Sequence, residues 1–231
     1  MTSNEWASSY LSKDRDYFSY ARRDLLELVP ADPPGRVLEI GAGAGATLVA
    51  LKRSGKAREV VGVELVPLPS GTQESGEIDR FVIADVEKQS LDFLPESFDV
   101  IICGDVLEHL RDPWEALAYL ARFLKPGGRF VISLPNIRYW RALGRIILGD
   151  FRYAPSGVLD RTHLRFFCRK NMLELIRSSR LDVRHVEPSF KRQRELRTDK
   201  VLNALTLGVV EHFLAQQYLI VAEKTHGNDT K

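Results

Sequence analysis

Cysteine is scarce: the 231 residues contain two, Cys103 and Cys168, without Cys-x-x-Cys spacing. That argues against a disulfide framework and against a zinc site, and makes a reducing cytoplasm the expected setting. No run of about 18 apolar residues occurs, so no membrane span is expected. The opening stretch MTSNEWASSYLSKDRDYF mixes polar and charged residues and has no apolar signal core. Internal repeats, low-complexity linkers and nucleic-acid-binding signatures are missing too, so no nucleic-acid partner is expected. No clustered metal-ligand spacing is visible, which disfavours a magnesium-dependent catechol-type site; no metal is expected.

What remains describes one globular domain of ordinary size, 44% hydrophobic and 28% charged. The net charge of +2 hides an asymmetry. Residues 136–200 hold 16 Lys/Arg against 7 Asp/Glu, whereas residues 1–135 hold 15 against 21. A basic surface on the second half suits an acidic small molecule or an anionic surface, and equally a set of solvated helix faces.

Along the chain the apolar pattern alternates between strand and helix periods. YFSYARRDLLELVP carries Tyr17, Phe18, Ala21, Leu25 and Leu28 at helical spacing, making residues 1–35 a helical cap that Pro30, Pro33 and Pro34 terminate. RVLEIG, EVVGVEL, RFVIADV, FDVIICG and RFVISLP read as five strands. ATLVALKRSG and DPWEALAYLARFLKPGG read as intervening helices, the second with Trp114, Leu117, Leu120 and Leu124 on one face. Nearly continuous apolar strands imply an α/β fold with a parallel sheet covered on both faces. Residues 36–135 form this core. Residues 136–231 complete the same domain, with insertions at 136–168 and 191–215. NIRYWRALGRIILGDF is expected to be helical, RYAPSGVLDRTHLRFF a loop, RKNMLELIRSS a helix, LDVRHVEPSF a strand, DKVLNALTLGVVEHFLA a long helix and QQYLIVAEK a final strand.

The chemistry gathers where strands one to four end, the place at which an open α/β sheet binds ligands. After the first strand, GAGAGA places Gly41, Gly43 and Gly45 at alternate positions before a helix. Read as G-x-G-x-x-A it fits a dinucleotide fingerprint; read as G-x-G-x-G it fits a nucleoside site without a pyrophosphate. Strand two ends at Glu64, whose carboxylate can accept from two ribose hydroxyls. Strand three ends at Asp85-Val86 and strand four at Cys103-Gly104-Asp105. Each acid alone could be a turn former or helix cap.

VLEIGAGAGA, VVGVEL, FVIADVEK and, above all, DVLEHL…DP…AL…LKPGG resemble the class I S-adenosylmethionine-dependent methyltransferases. The resemblance covers roughly residues 15–185 and is strongest over 36–136. It implies a Rossmann-like, seven-stranded, mostly parallel sheet whose last strand, QQYLIVAEK, is antiparallel. It also implies S-adenosylmethionine as the methyl donor. By position, Gly41, Gly43 and Gly45 would wrap the methionine portion and ribose, and Glu39 would help hold the amino group. Glu64 would bind the ribose, Leu65 would lie on the adenine, Asp85 and Val86 would read its edge, and Cys103 or Gly104 would offer a carbonyl to the ammonium. LVPLPSGTQESGEIDR lacks the helix the family usually has there. LDRTHLRFF is similar to methyltransferases of bacterial surface-polysaccharide and natural-product pathways, implying a small-molecule acceptor, most simply a sugar hydroxyl.

A hydroxyl nucleophile benefits from a base, and the candidates are His163, which Asp160 could orient, and His109, with Asp105 or Glu108 as alternatives. Each has a bland alternative: an anchored loop, a pinned turn, a helix cap. Asn136, Tyr139 and Trp140 could line the acceptor pocket or pack as a helix face, and Arg161 and Arg165 could grip an anionic acceptor or stay solvated. The 199–215 helix, behind the basic KRQRELR, could touch a membrane surface peripherally, though such a pattern more often covers a sheet edge or forms a dimer contact. Methyl transfer to nitrogen or carbon, an NAD(P)-dependent oxidoreductase and a non-catalytic cofactor-binding module are the alternative functions. The absence of Tyr-x-x-x-Lys weakens the commonest short-chain form of the oxidoreductase.

Overall fold

Alternation along the strands decides how the sheet is covered. On β1 (Gly35–Ile40), Val37 joins one apolar cluster while Leu38 and Ile40 join another. β4 (Phe98–Gly104) repeats the pattern, with Val100 and Ile102 on one side and Ile101 and Cys103 on the other. Successive strand side chains face opposite ways, so a strand apolar at every position must be buried on both faces. The computed structural model describes residues 20–68, 76–190, 201, 203, 205–206 and 210–225.

The sheet has seven strands in the order β3-β2-β1-β4-β5-β7-β6. β2 (Ala57–Glu64), β3 (Arg80–Ile83) and β5 (Leu124–Pro135) join β1 and β4 in parallel register. β7 (Gln217–Lys224) is antiparallel to both β5 and β6 (Leu181–Ser189). This is the Rossmann-like fold and antiparallel last strand that the resemblance implied. One face packs on α1 (Arg23–Leu28) and α2 (Ala46–Arg53) through Leu25, Leu48 and Leu51. The other packs on α3 (Pro113–Ala121) and α4 (Arg169–Ser178) through Leu117, Leu120, Met172 and Leu175. Leu25 is fully buried among these core residues, so the described part of the N-terminal cap is packed onto the sheet.

Three details differ from the sequence reading. α3 starts as expected, with Asp112 accepting from the Glu115 N–H at 2.9 Å and Pro113 as its first residue. It stops at Ala121, however, and LKPGG opens β5 through a register shift opposite Phe98 and Val100. Leu124 therefore belongs to a strand, and Trp114 is 44% exposed. The third strand is shorter than RFVIADV, ending at Ile83. The helix expected over NIRYWRALGRIILGDF is confined to Trp140–Ile147, because Asn136, just past the end of β5, is still held in a bridge to Phe167. Residues 154–166 form the expected loop, with one isolated bridge between Ala154 and Asp160. Between Glu64 and Arg80 no helix occurs among the described residues. The expected long helix over 199–215 lies largely outside the described residues; Glu211–Leu214 is its described helical end.

Candidate active site

The order of the strands reverses between β1 and β4, and their carboxyl ends open into a cavity of about 1520 Å³. Small-ligand sites commonly occupy about 300–1,000 Å³, so this one has room for two molecules side by side. Its lining runs from Glu39 and the glycine loop, past Glu64, Leu65, Asp85 and Val86, to Gly104, His109, Leu164 and Arg165.

The glycine loop and the acid of β2 are one unit. At Gly41 the backbone turns with φ +67°, and a Cβ there would lie 2.6 Å from Val106 Cγ2. Only glycine meets both conditions. Gly43 donates its N–H to Glu64 Oε2 at 2.8 Å, and Leu65 donates to Glu64 Oε1 at 2.7 Å. Glu64 is 2% exposed, so its carboxylate holds the loop against the tip of β2. Gly45 is not part of the lining; at φ 84° it turns the chain into α2.

Glu39 is 5% exposed, and its Oε2 has no hydrogen-bond partner among the described residues. Burial pushes its acid up to about 8, and the nearby Glu64 charge adds to the effect against the opposing influence of Thr47 and Arg22. Such a carboxylate is set to ionise when a cation reaches it.

Arg22, which the sequence reading passed over, closes the cavity floor. Its Nη1 donates to Asp105 Oδ2 at 2.5 Å, its Nη2 to Asp24 and Ser133. Asp105 also accepts from Ser133 Oγ and from Gln217 Nε2, both at 2.8 Å. Burial alone would raise the Asp105 acid, but the Arg22 charge and these bonds outweigh it and hold it below the usual carboxylate range. Asp105 is therefore a weak base, committed to joining the N-terminal segment to β5 and β7. Nothing in ARRDLL distinguishes Arg22 from Arg23; only the fold does.

At the other end, β4 leads into a short 3₁₀ turn, Leu107–His109. His109, half-buried, lines the cavity, and its Nδ1 donates to Thr162 O at 3.0 Å. His163 is 8% exposed and sits behind it, its ring centroid 4.8 Å from that of His109. Its Nδ1 donates to Val158 O at 3.1 Å, so a carbonyl rather than Asp160 holds that ring nitrogen. Asp160 Oδ1 instead accepts from the N–H and hydroxyl of Thr162, both at 2.8 Å. Glu108, 1% exposed, has its Oε1 3.9 Å from His163 Nε2.

The other expected residues divide. Asp85 lines the cavity, its carboxylate accepting from Glu87 N at 3.0 Å and Lys88 Nζ at 2.7 Å. Gly104 lines it too, whereas Cys103 is fully buried in the core and its thiol is pushed up by burial. Asn136 is structural: its side-chain nitrogen donates to His212 O at 2.9 Å and Ala215 O at 2.8 Å. Tyr139 packs with Ala142, Val158 and Leu159 in a small separate cluster, Trp140 is 48% exposed, and Arg161 is exposed; like Asn136, these three do not line the cavity. Arg165 does line it, with its guanidinium donating to Arg111 O and lying over the Trp114 ring.

A family model described as a methyltransferase domain matches residues 13–186. The ubiquinone biosynthesis O-methyltransferase of Hahella chejuensis (strain KCTC 2396) is 32% identical over 119 residues, which is 50% of this chain and 49% of that protein. The chain thus spans about half the length of that curated relative. Among solved structures, the 1,6-didemethyltoxoflavin-N1-methyltransferase of Burkholderia thailandensis, with bound 1,6-didemethyltoxoflavin and S-adenosylhomocysteine, aligns at a TM-score of 0.63 and 21% identity. That alignment covers 98% of this chain and 92% of that one. The [4+2]-cyclase SpnF aligns at a TM-score of 0.61 and 19% identity, over 88% of this chain and 80% of that one. At such identities the two structures speak for the fold alone, and the second warns that this fold carries other chemistry as well.

Proposed function

The chain belongs to the methyltransferase domain family, and from that premise we propose that it transfers a methyl group from S-adenosylmethionine to a hydroxyl of a small acceptor, a sugar or related metabolite. The observation that carries this reading is Glu39, a buried carboxylate whose Oε2 has no partner among the described residues, in one cavity with the glycine loop and Glu64. A zwitterionic amino-acid end next to a ribose is what such a pair of acids fits; a nicotinamide dinucleotide offers Glu39 no ammonium.

When bound, S-adenosylmethionine supplies an electrophilic methyl on a sulfonium. The roles of the chain follow from position. Gly41 and Gly43 let the backbone approach the methionine and ribose portions. Glu64 exchanges its hold on the Gly43 N–H, in part, for the ribose hydroxyls. Asp85 and Val86 border the adenine edge and Leu65 its face. Glu39 and the Gly104 carbonyl receive the ammonium. The cavity's remaining volume, beside His109, Leu164 and Arg165, takes the acceptor, and the His109 end activates its hydroxyl. Arg111 and Arg165 at that rim suit an anionic acceptor. Cytoplasmic action accords with two free thiols. Among the described residues no helix is long and apolar enough to cross a membrane.

The test is calorimetry of S-adenosylhomocysteine and, in parallel, NADH on the wild type and Glu64→Ala. Binding of the homocysteine compound alone, weakened at least tenfold by the substitution, is expected. Binding of NADH alone overturns the reading.

A further inference from the structure

The acceptor end carries a cluster that no strand tip supplies. Glu108, His109 and His163 each offer one donor atom, and these atoms lie within 4.8 Å of one another. Two come from the 3₁₀ turn after β4 and the third from the 154–166 loop, so no spacing in the sequence announces them.

The orientation of the rings is the informative feature. A backbone carbonyl can only accept, so the bonds to Thr162 O and Val158 O require each histidine to carry its proton on Nδ1. In the neutral form of each ring, Nε2 is then the nitrogen that offers a lone pair. An outer N–H anchored on a backbone carbonyl, with the lone pair of the other nitrogen directed inward, is how proteins orient metal-bound imidazoles. The two segments are also joined at the backbone: Glu108 O accepts from Leu164 N at 2.8 Å and from Arg165 N at 3.0 Å. Two imidazoles and a carboxylate are thus held together by main-chain bonds from both sides, in a site where burial lowers the competition from water.

We propose that Glu108, His109 and His163 form a binding site for a divalent transition ion of the zinc class, open to the cavity on the His109 side. Two nitrogens and one carboxylate suit such an ion, whereas magnesium and calcium prefer all-oxygen shells. Zinc bonds of about 2.0–2.2 Å put tetrahedral ligands roughly 3.4 Å apart, so the cluster needs to contract by about an ångström. Three protein ligands leave a position toward the cavity. Only the occupant of that position rests on the methyl-transfer reading: an acceptor hydroxyl there loses its proton to solvent more readily. Its oxygen then attacks the sulfonium methyl, the C–O bond forming as the C–S bond breaks and the thioether leaves.

The chain, stripped with a chelator, is titrated with Co²⁺ and followed by visible d–d absorption, then back-titrated with Zn²⁺. The expected result is saturation at one ion per chain, displacement by Zn²⁺, and affinity at least tenfold weaker in Glu108→Gln, in His163→Asn and in His109→Asn, the last at the half-buried cavity wall. His185→Asn, which removes the exposed His185–Glu187 pair, is expected to change nothing. Absorption that never saturates, or that survives all three cluster substitutions, overturns the proposal. Calorimetry of S-adenosylhomocysteine on the same stripped chain keeps the two readings apart. Binding there without any Co²⁺ signal removes the metal site and leaves the methyltransferase reading standing.

Discussion

At the proposed cofactor end of the cavity, Gly41, Glu64, Asp85 and Gly104 stand where parallel strands stop, or within two residues of it. At the proposed acceptor end, Glu108, His109 and His163 come from a turn and a loop, and His109 reaches Thr162 across 53 residues of sequence. The first set inherits its position from a sheet whose core residues are almost all fully buried. The second depends on a few side-chain and main-chain bonds and on the small cluster of Tyr139, Ala142, Val158 and Leu159. A fold can keep the first constant while the second is rebuilt, which is how one architecture serves many acceptors.

The harshest break of this comparison is at Gly41. Gly41→Val adds branched bulk 2.6 Å from Val106 Cγ2 at a φ of +67°. The loop must move, taking the Gly43 bond to Glu64 with it. S-adenosylhomocysteine affinity is expected to fall by about a hundredfold or more, near 3 kcal/mol, with the melting temperature lowered only modestly because β1 itself stays paired. Calorimetry beside thermal melting checks both halves of that statement.

A milder break belongs on the other side. Asp160 is 2% exposed, and its Oδ1 accepts twice from Thr162, whose carbonyl in turn receives His109. Asp160→Ala leaves a buried N–H unsatisfied at a cost of about 1–3 kcal/mol. Because the loop has its own small cluster, the loss should stay local. Amide exchange over 154–165 is expected to accelerate about tenfold or more, while S-adenosylhomocysteine affinity changes less than twofold. An equal loss of affinity would mean that the two ends are one cooperative unit.

The same contrast explains what could be read from the sequence. Strand tips are legible because a strand boundary and its terminal residue are adjacent in sequence: Glu64 follows VVGV, and Asp85 follows shortly after FVI. Glycine at 41 was legible for a similar reason, a backbone need stated locally. Arg22, Ser133 and Gln217 were not, since they meet at Asp105 only after α1, β5 and β7 have packed. Asn136 and Tyr139 misled for the converse reason. They stand just after a strand end, yet that end is roofed by 212–215, so the Asn136 amide serves the backbone, and Tyr139 packs into the local apolar cluster. LKPGG read as a helix stop but opens a strand, because the sheet partner Phe98 outweighs the local signal.

The subtlest expected effect sharpens the cofactor end and concerns a proton. Glu39, at about 8 in the folded chain, is mostly protonated at pH 7 when no cation is near. Its folded acid constant lies above the ordinary carboxylate value, so the unfolded chain loses this proton near pH 4.5 and the folded chain only near pH 8. The unliganded protein should therefore lose stability from this residue as pH rises across that interval. A ligand ammonium beside Glu39 favours the ionised form, so binding should expel the proton. Calorimetry of S-adenosylhomocysteine at pH 7 in buffers of different ionisation enthalpy is expected to report release of close to one proton. The release should shrink toward zero above about pH 9, where Glu39 is already ionised. Glu39→Gln should abolish it and flatten the rise of affinity between pH 6 and 8. Release that persists in Glu39→Gln would assign the proton to another group, and the ammonium would then have to be held elsewhere on the cavity wall.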